Sequence, residues 1–200
     1  ITVEGFRDQG NYTVTFKSGT FTIKKADRPT GEDRDLSVTS YNDVYDAEEH
    51  TITVNHLDGN DTVKYRYDNQ GDWTSELKKF TDVGNHTVEV QVTNPNYTEE
   101  TVELTGVKAG TVTITPFEMV VTANNKTKVY GEGDPTLNAV VTAKNPRQTK
   151  PDDGFEITYS LTREAGENVG EYDITPHADE VQGNYKVTTG TGTLTITAAV

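Results

Sequence analysis

At 200 residues the chain is long enough for one domain or two, and with 32% hydrophobic residues each core is modest. Its 32 acidic against 18 basic side chains leave a formal charge of −14, which opposes binding to nucleic acid and adsorption to anionic lipid. It has no cysteine, hence no disulfide framework, and no apolar run reaches the roughly 18 residues of a membrane span.

In chain order, Tyr12, Val14 and Phe16 alternate with Thr13, Thr15 and Lys17, Ser18-Gly19 offers a turn, and Phe21 and Ile23 resume the pattern. Side chains alternate across a strand, so this predicts a hairpin with one apolar face. A two-stranded ribbon cannot bury such a face alone. Residues 1–25 are therefore expected to pack on the next module or on a second copy of the chain, a route to self-association. A polar link punctuated by Pro29 and Gly31 follows.

Leu36 and Val38, then Thr51–Val54, then Val63, Tyr65 and Tyr67 predict strands, with a turn at Asp58-Gly59. Gly71-Asp72-Trp73 reads as a loop or short return strand, and Trp73–Phe80 is the nearest approach to a helical stretch. His86, Val88, Val90 and Val92 share a parity, followed by Val102 and Leu104, then Val112 and Ile114. Beyond Phe117, the strand signals are Met119 and Val121, Val140-Val141, the alternating Phe155, Ile157 and Tyr159, then Tyr172 and Ile174, Tyr185 and Val187, and Leu194 and Ile196. Short strands separated by turns every 8–12 residues or so predict an all-β fold of antiparallel, immunoglobulin-like β-sandwich modules in tandem. β-grasp-like modules are the alternative.

Two phrases recur. Gly10-Asn11-Tyr12-Thr13-Val14 returns as Gly84-Asn85-His86-Thr87-Val88 and as Gly170-Glu171-Tyr172-Asp173-Ile174. Gly19-Thr20-Phe21-Thr22-Ile23 returns at Gly110–Ile114 and Gly192–Ile196, steps of 91 and 82 residues. Val44-Tyr45-Asp46 likewise corresponds to Val129-Tyr130-Gly131, and Asn94-Pro95-Asn96-Tyr97 to Gln182-Gly183-Asn184-Tyr185. Steps of this size suit small domains in tandem, since solenoid units are typically about 20–50 residues. The expected division is residues 1–27, the closing hairpin of an upstream repeat with its linker; 28–116, a first full module; and 117–200, a second.

Candidate chemistry is sparse. There is no G-x-S-x-G and no P-loop, and His50, His56, His86 and His177 form no close-spaced ligand pair. No catalytic, cofactor-binding or metal-binding residue is assigned, and the chain reads as non-enzymatic. Acidic stretches such as Glu132-Gly133-Asp134 and Asp152-Asp153 read as solvated loops, with a calcium ion between or within modules as the one cofactor considered, although none matches an EF-hand loop. Tyr12, Tyr65, Tyr159 and Tyr172 fall on strand positions and are expected in the core. Tyr172 is placed to turn its hydroxyl onto nearby backbone, as in a tyrosine corner. Tyr41, Tyr67, Trp73 and Tyr97 remain as candidate contacts for sugar or peptide.

Val129-Tyr130-Gly131-Glu132-Gly133-Asp134-Pro135-Thr136-Leu137, with Asn168–Tyr172, Asn184-Tyr185 and Gly192–Ile196, resembles the MBG-type repeat in its Tyr-Gly variety over residues 118–198. Residues 35–116 look like a divergent relative, with Tyr45-Asp46 for Tyr-Gly and His86 for the usual tyrosine. The resemblance implies a tandem, extracellular repeat of a bacterial cell-surface protein, of the adhesin and mucus-binding kind. It implies neighbouring repeats and a host glycoprotein or mucin as partners, and brings no established set of ligand-contacting residues. Stalk or adhesion scaffold is the favoured role, direct glycan or mucin binding the alternative, and a calcium-dependent rigidifier between modules the less favoured one.

Overall fold

The computed structural model describes residues 10–11, 14–28, 35–97 and 109–199. Within them the regular structure is entirely β, with fifteen strands and no helix. The first module contains β1 (Ser37–Thr39), β2 (Tyr41–Val44), β3 (Thr53–Asn55), β4 (Thr62–Tyr67), β5 (Gln70–Thr74), β6 (Gly84–Thr93) and β7 (Ala109–Thr115). A five-stranded sheet in the order β2-β7-β6-β4-β5 is covered on one face by the β1–β3 pair. The alternating pattern directs this. Val88, Val90 and Val92 of β6 and Gly110, Val112 and Ile114 of β7 face inward and are buried. At Gly110 the two layers nearly touch: an added Cβ would lie 2.5 Å from Val38 Cγ1 and 2.8 Å from Ile52 Cγ2.

The second module contains β8 (Phe117–Ala123), β9 (Lys126–Val129), β10 (Ala139–Ala143), β11 (Ser160–Arg163), β12 (Gly170–His177), β13 (Val181–Gln182), β14 (Tyr185–Gly190) and β15 (Gly192–Thr197). Two four-stranded sheets, β10-β8-β14-β13 and β11-β12-β15-β9, pack face to face. Phe117, Met119, Val121 and Ala123 point inward from one sheet, and Ile174, Leu194 and Ile196 from the other. The chain changes sheets at Asn124-Asn125, between β8 and β9. There Gly192 is required, because a Cβ would meet the Ala123 carbonyl oxygen at 2.5 Å. The all-β sandwich expectation holds. The β-grasp alternative, which needs a helix across its sheet, does not.

The purely antiparallel expectation needs correction. β2 pairs with β7, β8 with β14 and β9 with β15, all in parallel. A chain that enters a module at one end and leaves at the other gives its opening and closing strands the same direction. When those strands are neighbours, their pairing must be parallel. Two further expectations fail, on residues 14–25 and 155–159. Residues 14–25 form no strand, and Phe21 and Ile23 are 71% and 84% exposed, because no sheet among the described residues covers their apolar face. Ala26 and Arg28 are bonded into the first module. The short return strand read at Gly71-Asp72-Trp73 is present as β5, Trp73–Phe80 is not helical, and β4 reverses into β5 at Asp68-Asn69, two residues with φ near +51° and +57°. Phe155–Tyr159 is extended without strand pairing, because the Gln182 side-chain amide takes both backbone groups of Thr158, at 2.8 and 2.9 Å. Tyr159 is accordingly 38% exposed rather than in the core. Tyr65 is buried as expected, and the Tyr172 hydroxyl donates to the Asn168 carbonyl at 2.9 Å, the corner anticipated for it. Tyr12, Val102 and Leu104 lie outside the described residues.

Candidate functional site

The most elaborate polar constellation lies where the two modules meet. Pro116 alone separates β7 from β8. Next to it, the Asp153 carboxylate accepts hydrogen bonds from both tyrosine hydroxyls at the joint. Tyr45 of the first module donates to Oδ2 at 3.0 Å, and Tyr185 of the second at 2.7 Å. The rings meet edge to face, with centroids 5.7 Å apart. Lys150 donates to Asp153 Oδ1 at 2.8 Å and sets its ammonium 4.8 Å from the centre of the Tyr185 ring. The Phe155 amide gives the carboxylate a fourth donor at 3.0 Å.

Burial pushes the Asp153 carboxyl upward, but bonds from Lys150, Tyr185, the Phe155 amide and Tyr45 outweigh it. They hold the group well below the usual carboxylate range. Tyr185 is fully buried, and desolvation, then its bond to Asp153, pushes its hydroxyl well above the ordinary tyrosine value. The loop itself is exposed, as expected, at residues 152–155, but the Asp153 side chain turns inward, 13% exposed and saturated with donors.

A second clasp stands beside the first. Asn184 accepts from the Val83 amide at 2.8 Å and donates to Asp82 Oδ1 at 2.9 Å, gripping the polar turn that precedes β6. Around these bonds one buried apolar cluster runs unbroken from Val88 and Val92 of the first module through Tyr45, Phe117 and Tyr185 to Val187 of the second. Sequence reading registered Tyr45 and Asn184-Tyr185 only as recurring phrases. Their recurrence in both modules was the available signal that they serve the ends of the sandwiches.

A related arrangement occupies the opposite end of the first module. The Tyr97 hydroxyl donates to Asp58 Oδ2 at 3.0 Å, and the Arg28 guanidinium lies 5.3 Å from the centre of the Tyr97 ring. Arg28, itself 8% exposed, grips Asp61 through both terminal nitrogens, and Asn94 bonds the same carboxylate at 2.7 Å. Ala26 bridges Tyr97 in parallel and donates to the Asn96 carbonyl at 3.1 Å. Phe117 makes the same pair of contacts with Tyr185 and Asn184, its amide 3.1 Å from the Asn184 carbonyl.

The four aromatic candidates do not gather at one site, although Tyr41 and Tyr67 flank one aromatic run through His50, Phe80 and His86. Trp73 lies under the Arg66 guanidinium, 5.1 Å away, and Arg66 is paired with Glu89. Tyr41 stacks on His50 at 3.9 Å, and the Tyr67 hydroxyl bridges the Glu76 carbonyl and Lys78 amide at 2.9 and 2.6 Å. Tyr97 belongs to the end described above. An open groove of about 770 Å³ in the second module is lined by Met119, Val141, Lys150, Phe155 and Ile157 among others, and by none of the four. Among the described residues, no group of three or more His, Asp or Glu is placed to hold a metal ion.

The Tyr-Gly loop after β9 is pinned from beneath. Lys128, with a side chain 3% exposed, donates to Asp134 at 2.8 Å and to Glu167 at 2.5 Å, and Arg163 bonds the same two carboxylates. Hydrogen bonds to those carboxylates raise Lys128 above the ordinary lysine value. The aspartate of Tyr-Gly-Glu-Gly-Asp therefore anchors the loop that carries Tyr130.

Residues 119–195 match the MBG domain, YGX type. The matched stretch runs from β8 into β15 and includes the Tyr130-Gly131 loop, Asp153 and Tyr185. The match is consistent with an extracellular repeat of the bacterial cell-surface adhesin type. No curated protein matches the chain. Among solved structures, the Drosophila N-cadherin EC1-3 crystal structure is similar over 84% of this chain and 69% of its own, at 14% identity and a TM-score of 0.20, a likeness too slight to bear on function.

Proposed function

We propose that this segment is a stiff spacer, a stalk or scaffold that holds the adhesive parts of a bacterial surface protein at fixed separation and orientation. The observation that carries the reading is the joint. A one-residue link, a shared apolar core and the Tyr45–Asp153–Tyr185 bonds leave little freedom between the modules. A flexible tether would need a longer polar linker. In this reading residues 19–23 hold the place of an upstream repeat's closing phrase, since Ala26 enters the first module as Phe117 enters the second.

Backbone ¹⁵N relaxation tests it. Both modules are expected to report one common anisotropic tumbling time, and Tyr45→Ala to separate them into two. Two independent times in the unaltered protein would sink the spacer reading. A second reading, direct contact with a host glycan or mucin, draws on Trp73, whose indole sits on an edge strand beneath Arg66. Saturable binding on a glycan and mucin array that disappears in Trp73→Ala would favour it over a pure spacer.

A further inference from the structure

The second module ends as the first does, but uncovered. The Tyr45 amide donates to the Thr115 carbonyl at the close of β7, and the Tyr130 amide donates to the Thr197 carbonyl at the close of β15, both at 2.8 Å. Tyr45 and Tyr130 therefore occupy one position in two copies of the unit. Val83 and Val169 form a second such pair, each immediately before the repeated glycine that opens β6 or β12. In the first module both positions are covered by the second: Tyr45 is 5% exposed, and Val83 packs against the shared core. In the second module the counterparts stand in solvent, Tyr130 at 53% and Val169 at 59%.

We propose that the Tyr130–Val169 end of the second module is a docking face for a further module of this same kind, supplying a buried Asp–Tyr pair and an asparagine. The partner's carboxylate accepts from the Tyr130 hydroxyl as Asp153 accepts from Tyr45. Its asparagine grips the Asn168-Val169 backbone as Asn184 grips Asp82-Val83. The rigid loop beneath Tyr130, tied down by Lys128 and Arg163, keeps the ring presented before the partner arrives. The first module shows that such a pair exists at a module's entrance: Tyr97 and Asp58 are already bonded there. The inference rests on the spacer reading and extends it by naming the residues through which the array continues.

The test joins residue 198 directly to a second copy of residues 117–200, which reproduces the spacing between β7 and β8. Hydroxyl-radical footprinting then compares the tyrosines by mass spectrometry. Labelling of the original Tyr130 is expected to fall roughly tenfold, toward that of Tyr45, as their exposures of 53% and 5% imply. Asp153→Asn in the appended copy should restore part of that labelling. Tyr130→Phe, which leaves its own module intact, should let the appended module tumble separately in ¹⁵N relaxation. Unchanged labelling of Tyr130 with Tyr45 still protected would overturn the docking face while leaving the spacer reading of residues 28–199 in place. Strong labelling of both tyrosines would overturn both. Protection of Tyr130 that Asp153→Asn leaves unchanged, together with common tumbling of both modules in Tyr130→Phe, would overturn the assigned carboxylate–tyrosine contact.

Discussion

Asp153 is the residue on which the joint converges, and it couples two modules through one carboxylate. Asp153→Ala strands the Tyr185 hydroxyl in the core and the Lys150 ammonium beside it. A loss of about 1–3 kcal/mol is expected from urea unfolding, the cost of leaving the buried Tyr185 hydroxyl without its acceptor. Asp153→Asn keeps an acceptor oxygen but not the charge, so its effect should be smaller. The pH dependence follows from the depressed folded value of the carboxyl. Its contribution is fully present above the unfolded carboxylate value of about 3.9 and is lost as pH falls through the folded value. The stability difference between wild type and Asp153→Asn should therefore be constant near neutrality and shrink below about pH 4. A difference that grows on acidification would contradict this assignment. The role was not legible beforehand, because a lone Asp-Asp-Gly turn looks the same whether it faces water or a neighbouring module.

At the scale of elements, the repeated Gly-Thr-x-Thr-Ile phrase marks the closing strand of each unit, and its glycine serves packing. Gly110 lets β7 approach β1 and β3, and Gly192 lets β15 pass the Ala123 carbonyl. Gly110→Ala should cost about 1–3 kcal/mol, since Val38 and Ile52 can shift only partly. Gly192→Ala should cost at least as much, because the obstacle is backbone. Gly19→Ala, with nothing within 4 Å, should stay within about 0.5 kcal/mol of wild type. Thermal unfolding of the three variants checks the order. Strands with strict alternation, such as Val88–Val92, Val112–Ile114 and Leu194–Ile196, were readable because half-buried sheets impose period two. β2, β9 and β11 were not, because Tyr41–Val44, Lys126–Val129 and Ser160–Arg163 carry mostly polar side chains and gain their place from neighbours. The segment 14–25 misled in the opposite sense. Its alternation is that of a strand, but a strand forms only where a sheet receives it.

At the scale of the whole molecule, repetition points to a tandem arrangement, while the contacts between the two halves were hidden. The contacts that join them pair residues more than a hundred positions apart, Tyr45 with Asp153 and Val83 with Asn184. No local pattern records such pairs. Replacing Asn184 by Ala should remove the second clasp while leaving the tyrosine bonds. The two modules should then share one tumbling time but with larger interdomain amplitudes, readable in residual dipolar couplings. A fully uncoupled pair would show that the asparagine, and not the aspartate, dominates the joint.

The parallel pairing of opening and closing strands has a mechanical consequence. Tension applied along the chain pulls β2 backward and β7 forward, and likewise β9 and β15. The ladder bonds between Tyr41–Val44 and Val112–Thr115, and between Lys126–Val129 and Leu194–Thr197, are then strained side by side in shear rather than peeled one at a time. Rupture requires several bonds to fail together, so the unfolding rate under force should be low. Single-molecule stretching from the two ends should show high, discrete unfolding events. Pulling across the antiparallel β4–β5 hairpin, where bonds open in sequence, should yield at markedly lower force.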